Sequence, residues 1–170
     1  MAKDLNPERI AKAWNSTAEI KNQLRDIVLT RENRPRSSKE ESVLTSSPNY
    51  DLPVVVTKRQ SGKTMGLAHF IGERTLILSE TDTIGVVTPT ENIGMEFLRQ
   101  FRTHFPTLKE PVVVPISSAS TRLRGHRFRE IYVEEVFGIN LSLLSDICAH
   151  YPVVAAIGTI EAPTTITIRV

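Results

Sequence analysis

An α/β fold, with a mainly parallel sheet carrying helices on both faces, is what this sequence predicts. Three features point to it. Short apolar runs recur from Val54 onward, helical patterns alternate with them, and turn or capping residues separate the two. Strands that read as continuous apolar runs, not alternating ones, belong to a sheet covered on both faces, and parallel strands need crossovers of helix length.

The first element expected is an amphipathic helix from about Pro7 to Leu29. Asn6 offers a capping acceptor, Pro7 fits the first turn, and Ile10, Ala13, Trp14, Ile20, Leu24, Ile27 and Val28 recur near helical spacing. Trp14 is expected to pack this helix onto the domain. From Arg31 to Asp51 the text RENRPRSSKEESVLTSSPNYD is rich in Ser, Pro and charge, and reads as a linker or loosely packed arm. The division is therefore a helix and linker arm over 1–51 and a core over 52–170.

Within the core the predicted strands are Val54–Thr57, Ile84–Val87, Val112–Ile116, Ile131–Val133 and Val153–Ile157, with Thr165–Val170 as an edge strand or hairpin partner. Helices are predicted at about Gly62–Leu78, Glu91–Phe105 and Ile139–Ala149. In the second of these Ile93, Phe97 and Phe101 repeat every fourth residue, Thr88-Pro89-Thr90-Glu91 supplies the cap, and Pro106 the stop.

Composition narrows the function classes. At 170 residues and 40% hydrophobic, one domain with a real core is expected. The single Cys148 cannot form an internal disulfide and is read as a small buried residue, and no signal-peptide pattern opens the chain. An intracellular location is expected. No run reaches the roughly 18 to 20 apolar residues that cross a bilayer, so no membrane partner is expected. A net charge of +2 neither requires nor excludes nucleic acid. His69, His104, His126 and His150 are scattered without metal-ligand spacing.

The strongest chemical signal is a strand, Val54-Val55-Val56, that runs into Thr57-Lys58-Arg59-Gln60-Ser61-Gly62-Lys63-Thr64 and then a helix. This is the context of a phosphate-binding loop. Backbone N–H groups at the helix start point at phosphates, Lys63 reaches their oxygens, the Thr64 hydroxyl ligates magnesium, and Gly62 admits close approach. The usual first glycine of such loops is Thr57 here. GKT alone also occurs as a solvated turn opening an ordinary helix.

A second signal is Arg129-Glu130-Ile131-Tyr132-Val133-Glu134-Glu135, an apolar strand ending in two carboxylates. Phosphoanhydride hydrolysis needs one acid near magnesium and one to orient water. Glu134 is assigned to the metal shell and Glu135 to the water, against a plain alternative of a solvated acidic turn. Arg122, Arg124, His126, Arg127 and Arg129 precede this strand, and three readings stand: a nucleic-acid contact, an arginine donated to a neighbouring subunit, or a solvated basic face. Arg59, inside the loop, is better placed to stabilise transition-state charge.

With these residues in place, the chain resembles the ATPase domain of the large terminase subunit, the DNA-packaging motor of tailed bacteriophages and their relatives. Arg59-Gln60-Ser61-Gly62-Lys63-Thr64 fits that family's loop variant without the first glycine. Val86-Val87-Thr88-Pro89-Thr90, Leu123-Arg124-Gly125 and Ala156-Ile157-Gly158-Thr159 match its further motifs in order, so the resemblance spans Leu52 to Thr159. It implies a P-loop NTPase (RecA-like) core of the additional-strand class, ATP and Mg2+ as ligands, and Arg59 as an arginine finger in cis. It also implies a ring-forming homo-oligomer on a portal, double-stranded DNA as partner, a small terminase subunit or separate nuclease chain as further partners, and the host-cell cytoplasm as location. Glu134 departs from the family's aspartate, and no nuclease activity is expected of this chain. Two other functions fit the residues: a nucleotide-binding module with little turnover, and a small helicase-like DNA-dependent ATPase.

Overall fold

The computed structural model describes residues 7–32, 51–58, 62–159 and 164–170. The core is a six-stranded sheet of β1 (Asp51–Thr57), β2 (Thr83–Thr88), β3 (Val112–Pro115), β4 (Phe128–Val133), β5 (Val153–Thr159) and β6 (Thr164–Arg169), in the order β3-β2-β4-β5-β1-β6. Every neighbouring pair is parallel except β1 with β6, which places β6 as an antiparallel edge strand. The α/β class and mainly parallel sheet expected from the sequence are present.

The apolar runs are continuous because both faces of the strands are covered. Val54, Val55 and Val56 are all fully buried, yet they serve different cores. Val55, Val86, Tyr132, Ala155 and Ile157 face α1 (Pro7–Glu32), α2 (Lys63–Ile77) and α3 (Glu91–His104). Val54, Val56, Val87, Val133 and Ala156 face α4 (Ile116–Arg122) and α5 (Leu141–His150).

On the first face α1 lays Ile20, Leu24 and Val28 into the core at four-residue spacing. It approaches α2 so closely that a Cβ on Gly66 would stand 3.0 Å from the Ile20 side chain. Lys21 and Arg25 both pair with Glu73 of α2, tying the two helices on their outer side. The α3 cap works as its sequence predicts, with Thr90 accepting from Ile93 N at 3.4 Å, while Asn140 caps α5 through Ser142 N at 2.9 Å.

Several boundaries differ from the sequence expectation. The first helix continues to Glu32 and β1 begins at Asp51, so both ends of the expected linker are structured; positions 33–50 lie outside the described residues. Strand β4 starts three residues early, at Phe128, because its amino end carries Arg129 and Glu130 and lacks an apolar signal. Helix α4 was not predicted at all. Its text, ISSASTR, has only Ile116 and Ala119 to bury, and a seven-residue helix with two buried side chains leaves no periodicity to read. Asn6 and the side chain of Trp14 lie outside the described residues.

Candidate functional site

Parallel strands deliver all their carboxyl ends to one edge of the sheet, and that edge is where open α/β sheets gather functional groups. Here β1 ends at Thr57, β4 runs into Glu134 and Glu135, and β5 ends at Thr159. The loop strand β1 and the carboxylate strand β4 are not neighbours, since β5 lies between them. That insertion brings Thr159 to the centre of the cluster.

Gly62 sits just ahead of α2 with φ 72° and ψ 27°, in the left-handed region, where a side chain is strained. Its carbonyl accepts the first helical bond from Gly66 N at 2.7 Å. Lys63 and Thr64 therefore open the helix, with their side chains directed at the end of β4.

Thr64 Oγ1 donates to Glu134 Oε1 at 2.5 Å. Glu134 has 0% exposure, which overturns the reading of this pair as a solvated acidic turn. Its backbone N–H donates to Val87 O at 2.9 Å and continues the sheet ladder, so the carboxylate is aimed by strand pairing. The extra methylene that distinguishes Glu134 from aspartate does not prevent it from reaching the threonine hydroxyl. Burial pushes the Glu134 carboxyl above its ordinary pKa, opposed by the Thr64 hydrogen bond and the Lys63 charge.

Glu135 has φ 53° and ψ 52°, the one non-glycine residue with positive φ among those described. Such a conformation costs on the order of 1 kcal/mol or more and persists where surroundings enforce it, commonly at functional sites. The turn sends the Glu135 carboxylate back to form an ion pair with Lys63. Thr159 joins the same group: its hydroxyl accepts from Lys63 Nζ at 3.1 Å and donates to Glu135 at 3.0 Å. Burial lowers the Lys63 pKa, and the Glu134 charge works against that shift.

Glu134 Oε2 is buried and has no hydrogen-bond partner among the described residues. A buried carboxylate oxygen without a donor costs free energy, and a hard divalent cation is one group that satisfies it. Thr64 and Glu134 supply adjacent oxygen donors of the type magnesium takes, so the residues fit the metal assigned to them.

Of the residues expected at the site, Thr57, Gly62, Lys63, Thr64, Glu134 and Glu135 lie at the same edge of the sheet. Thr57 is buried and donates to Gly158 O at 3.4 Å, locking β1 to β5, while Lys58 is exposed. Arg59, Gln60 and Ser61 lie outside the described residues. The sequence places Thr159 in a stretch that resembles the family's coupling motif but not among the site residues, because only strand order reveals that β5 passes between loop and carboxylates. Of the basic stretch, Arg122 is 3.0 Å from Glu91 and is taken up by that pair. Cys148 is half-buried and its thiol is pushed up to about 12 by burial, as suits a packing residue and not a nucleophile.

The sequence matches no family model and no curated protein. No helix among the described residues is long and apolar enough to cross a membrane.

Proposed function

We propose that this chain binds ATP with magnesium at the head of α2 and hydrolyses it, as the ATPase domain of a large-terminase-like DNA-packaging motor. The observation that carries the reading is the convergence of Lys63, Thr64, Glu134, Glu135 and Thr159, from three separate segments, on one partly buried cluster. The insertion of β5 between the loop strand and the carboxylate strand supports the reading by bringing Thr159 between Lys63 and Glu135.

In the proposed reaction Lys63 exchanges Glu135 and Thr159 for the β- and γ-phosphate oxygens. The N–H groups at the start of α2 add their dipoles to the same charge. Thr64 and Glu134 are the residues that would hold magnesium, which would supply positive charge against the phosphate oxygens. Once released by Lys63, Glu135 orients the attacking water and accepts its proton, and Thr159 holds the Glu135 carboxylate in place through the hydrogen bond it already makes. Arg59 is the proposed cis arginine finger. Double-stranded DNA, a ring of like subunits on a portal and the host cytoplasm complete the proposal, on the strength of the motif resemblance alone.

Steady-state hydrolysis with and without duplex DNA tests it. Magnesium-dependent turnover stimulated by duplex supports a packaging motor, and turnover indifferent to DNA removes the motor from the proposal. Two observations favour a second reading: Lys63 is already paired with Glu135, and Glu134 stands where the resembling family has aspartate. A nucleotide-binding module with little turnover fits that closed arrangement. ATP binding with hydrolysis no faster than in Glu135→Gln would select it.

A further inference from the structure

The opposite edge of the sheet carries a different chemistry. At the amino ends of β2, β4 and β5, an open groove of about 580 Å³ is lined by Arg31 from the end of α1, Arg127 and Arg129 from the start of β4, and the acids Asp82 and Glu130. The acids are engaged within the fold. Asp82 accepts from Ser79 N at 3.2 Å, and Glu130 is held by Arg74 and by the Tyr132 hydroxyl at 2.7 Å.

The arginines are not. Arg31, Arg127 and Arg129 are exposed and form no hydrogen bond or ion pair among the described residues. Elsewhere on the surface Arg25, Arg99, Arg102, Arg122 and Arg169 each lie against a carboxylate. Among the arginines whose side chains are described, only the three that line this groove and Arg124, exposed beside the Gly125 turn, lack a carboxylate partner.

We propose that this groove docks the phosphodiester backbone of a nucleic acid. A guanidinium fork matches phosphate oxygens in planar, bidentate fashion, and phosphate contacts from several exposed arginines position a long polyanion without reading sequence. A single small phosphate fits less well, because the three arginines stand exposed on two segments, the end of α1 and the start of β4, around an open groove and have no buried point in common. The inference rests on charge pairing at this edge and not on the nucleotide site at the other.

The test is fluorescence anisotropy of a labelled duplex of about 20 base pairs, titrated with the full chain without nucleotide. The triple variant Arg31→Gln, Arg127→Gln, Arg129→Gln is expected to bind at least about tenfold more weakly. The slope of log affinity against log salt should shrink by about one for each phosphate contact removed. Arg122→Gln, already paired with Glu91, is expected to change neither, and Lys63→Ala is expected to bind the duplex as the parent does. Equal binding by parent and triple variant overturns the proposal, as does no binding by the parent. Displacement of the duplex by polyglutamate at equal charge also overturns it, in favour of an acidic protein partner. Binding of a fluorescent ATP analogue to the same variants separates this failure from a failure of the nucleotide site.

Discussion

Two glutamate clusters cap opposite ends of β4, and they are finished differently. At the amino end Glu130 is 6% exposed and fully engaged: Arg74 forms a two-nitrogen ion pair with it, and the Tyr132 hydroxyl fills the remaining side. Burial and the Glu130 charge hold the Tyr132 phenol well above its ordinary pKa, so it stays a donor. At the carboxyl end Glu134 is buried just as deeply, yet one of its oxygens has no partner among the described residues, and Glu135 reaches Lys63 through a left-handed backbone. A closed network fixes structure. An open one, held in a strained conformation, is the arrangement expected of a site awaiting a ligand.

The largest stability effect should fall on the closed network. Arg74→Ala leaves Glu130 buried without its cation and is expected to cost about 3–5 kcal/mol, read as a lower denaturation midpoint. A loss below about 1 kcal/mol would mean that water reaches Glu130 and that the contrast between the clusters is overstated.

Gly62→Ala comes next. The left-handed φ of 72° makes any side chain strained, at about 1–2 kcal/mol, and the variant should also lose nucleotide affinity because the start of α2 must shift. Unchanged stability would show that the turn relaxes freely.

Glu134→Gln is expected to act in the opposite direction. Because burial raises the carboxyl's pKa in the fold, its favourable contribution is full below the unfolded pKa and fades as pH rises through the folded value. At neutral pH the raised pKa is therefore a net cost to the fold, and the amide should stabilise the ligand-free chain by on the order of 1 kcal/mol while weakening magnesium-dependent activity. Thermal melts across pH 4 to 8 check this; a variant less stable than the parent at pH 7 would contradict it. The smallest effect is Arg122→Gln, an exposed pair with Glu91, expected to cost no more than about 0.5 kcal/mol.

Much of this was legible in the sequence, for identifiable reasons. Val54–Val56 and Val153–Ile157 announced buried parallel strands because nothing polar interrupts them, and Phe97 and Phe101 announced a helix face. Lys63, Thr64, Glu134 and Glu135 were legible because local order alone carries them: a strand meeting a glycine turn, and a strand meeting two acids. Thr159 was not, because its role depends on β5 lying between β1 and β4, and strand order is a property of the whole sheet. Helix α4 and the early start of β4 were missed where segments lack apolar period. The arginine groove was missed because Arg31 stands almost a hundred residues before Arg127, and only the fold joins them.

The central claim is that the open cluster is a nucleotide site. It is tested most directly by magnesium-dependent ATP binding and hydrolysis in the parent, Lys63→Ala and Glu135→Gln. The account predicts turnover in the parent, loss of both binding and turnover in Lys63→Ala, and in Glu135→Gln retained binding with turnover lower by about a hundredfold or more. Equal binding by the parent and Lys63→Ala, or no binding by either, would contradict it.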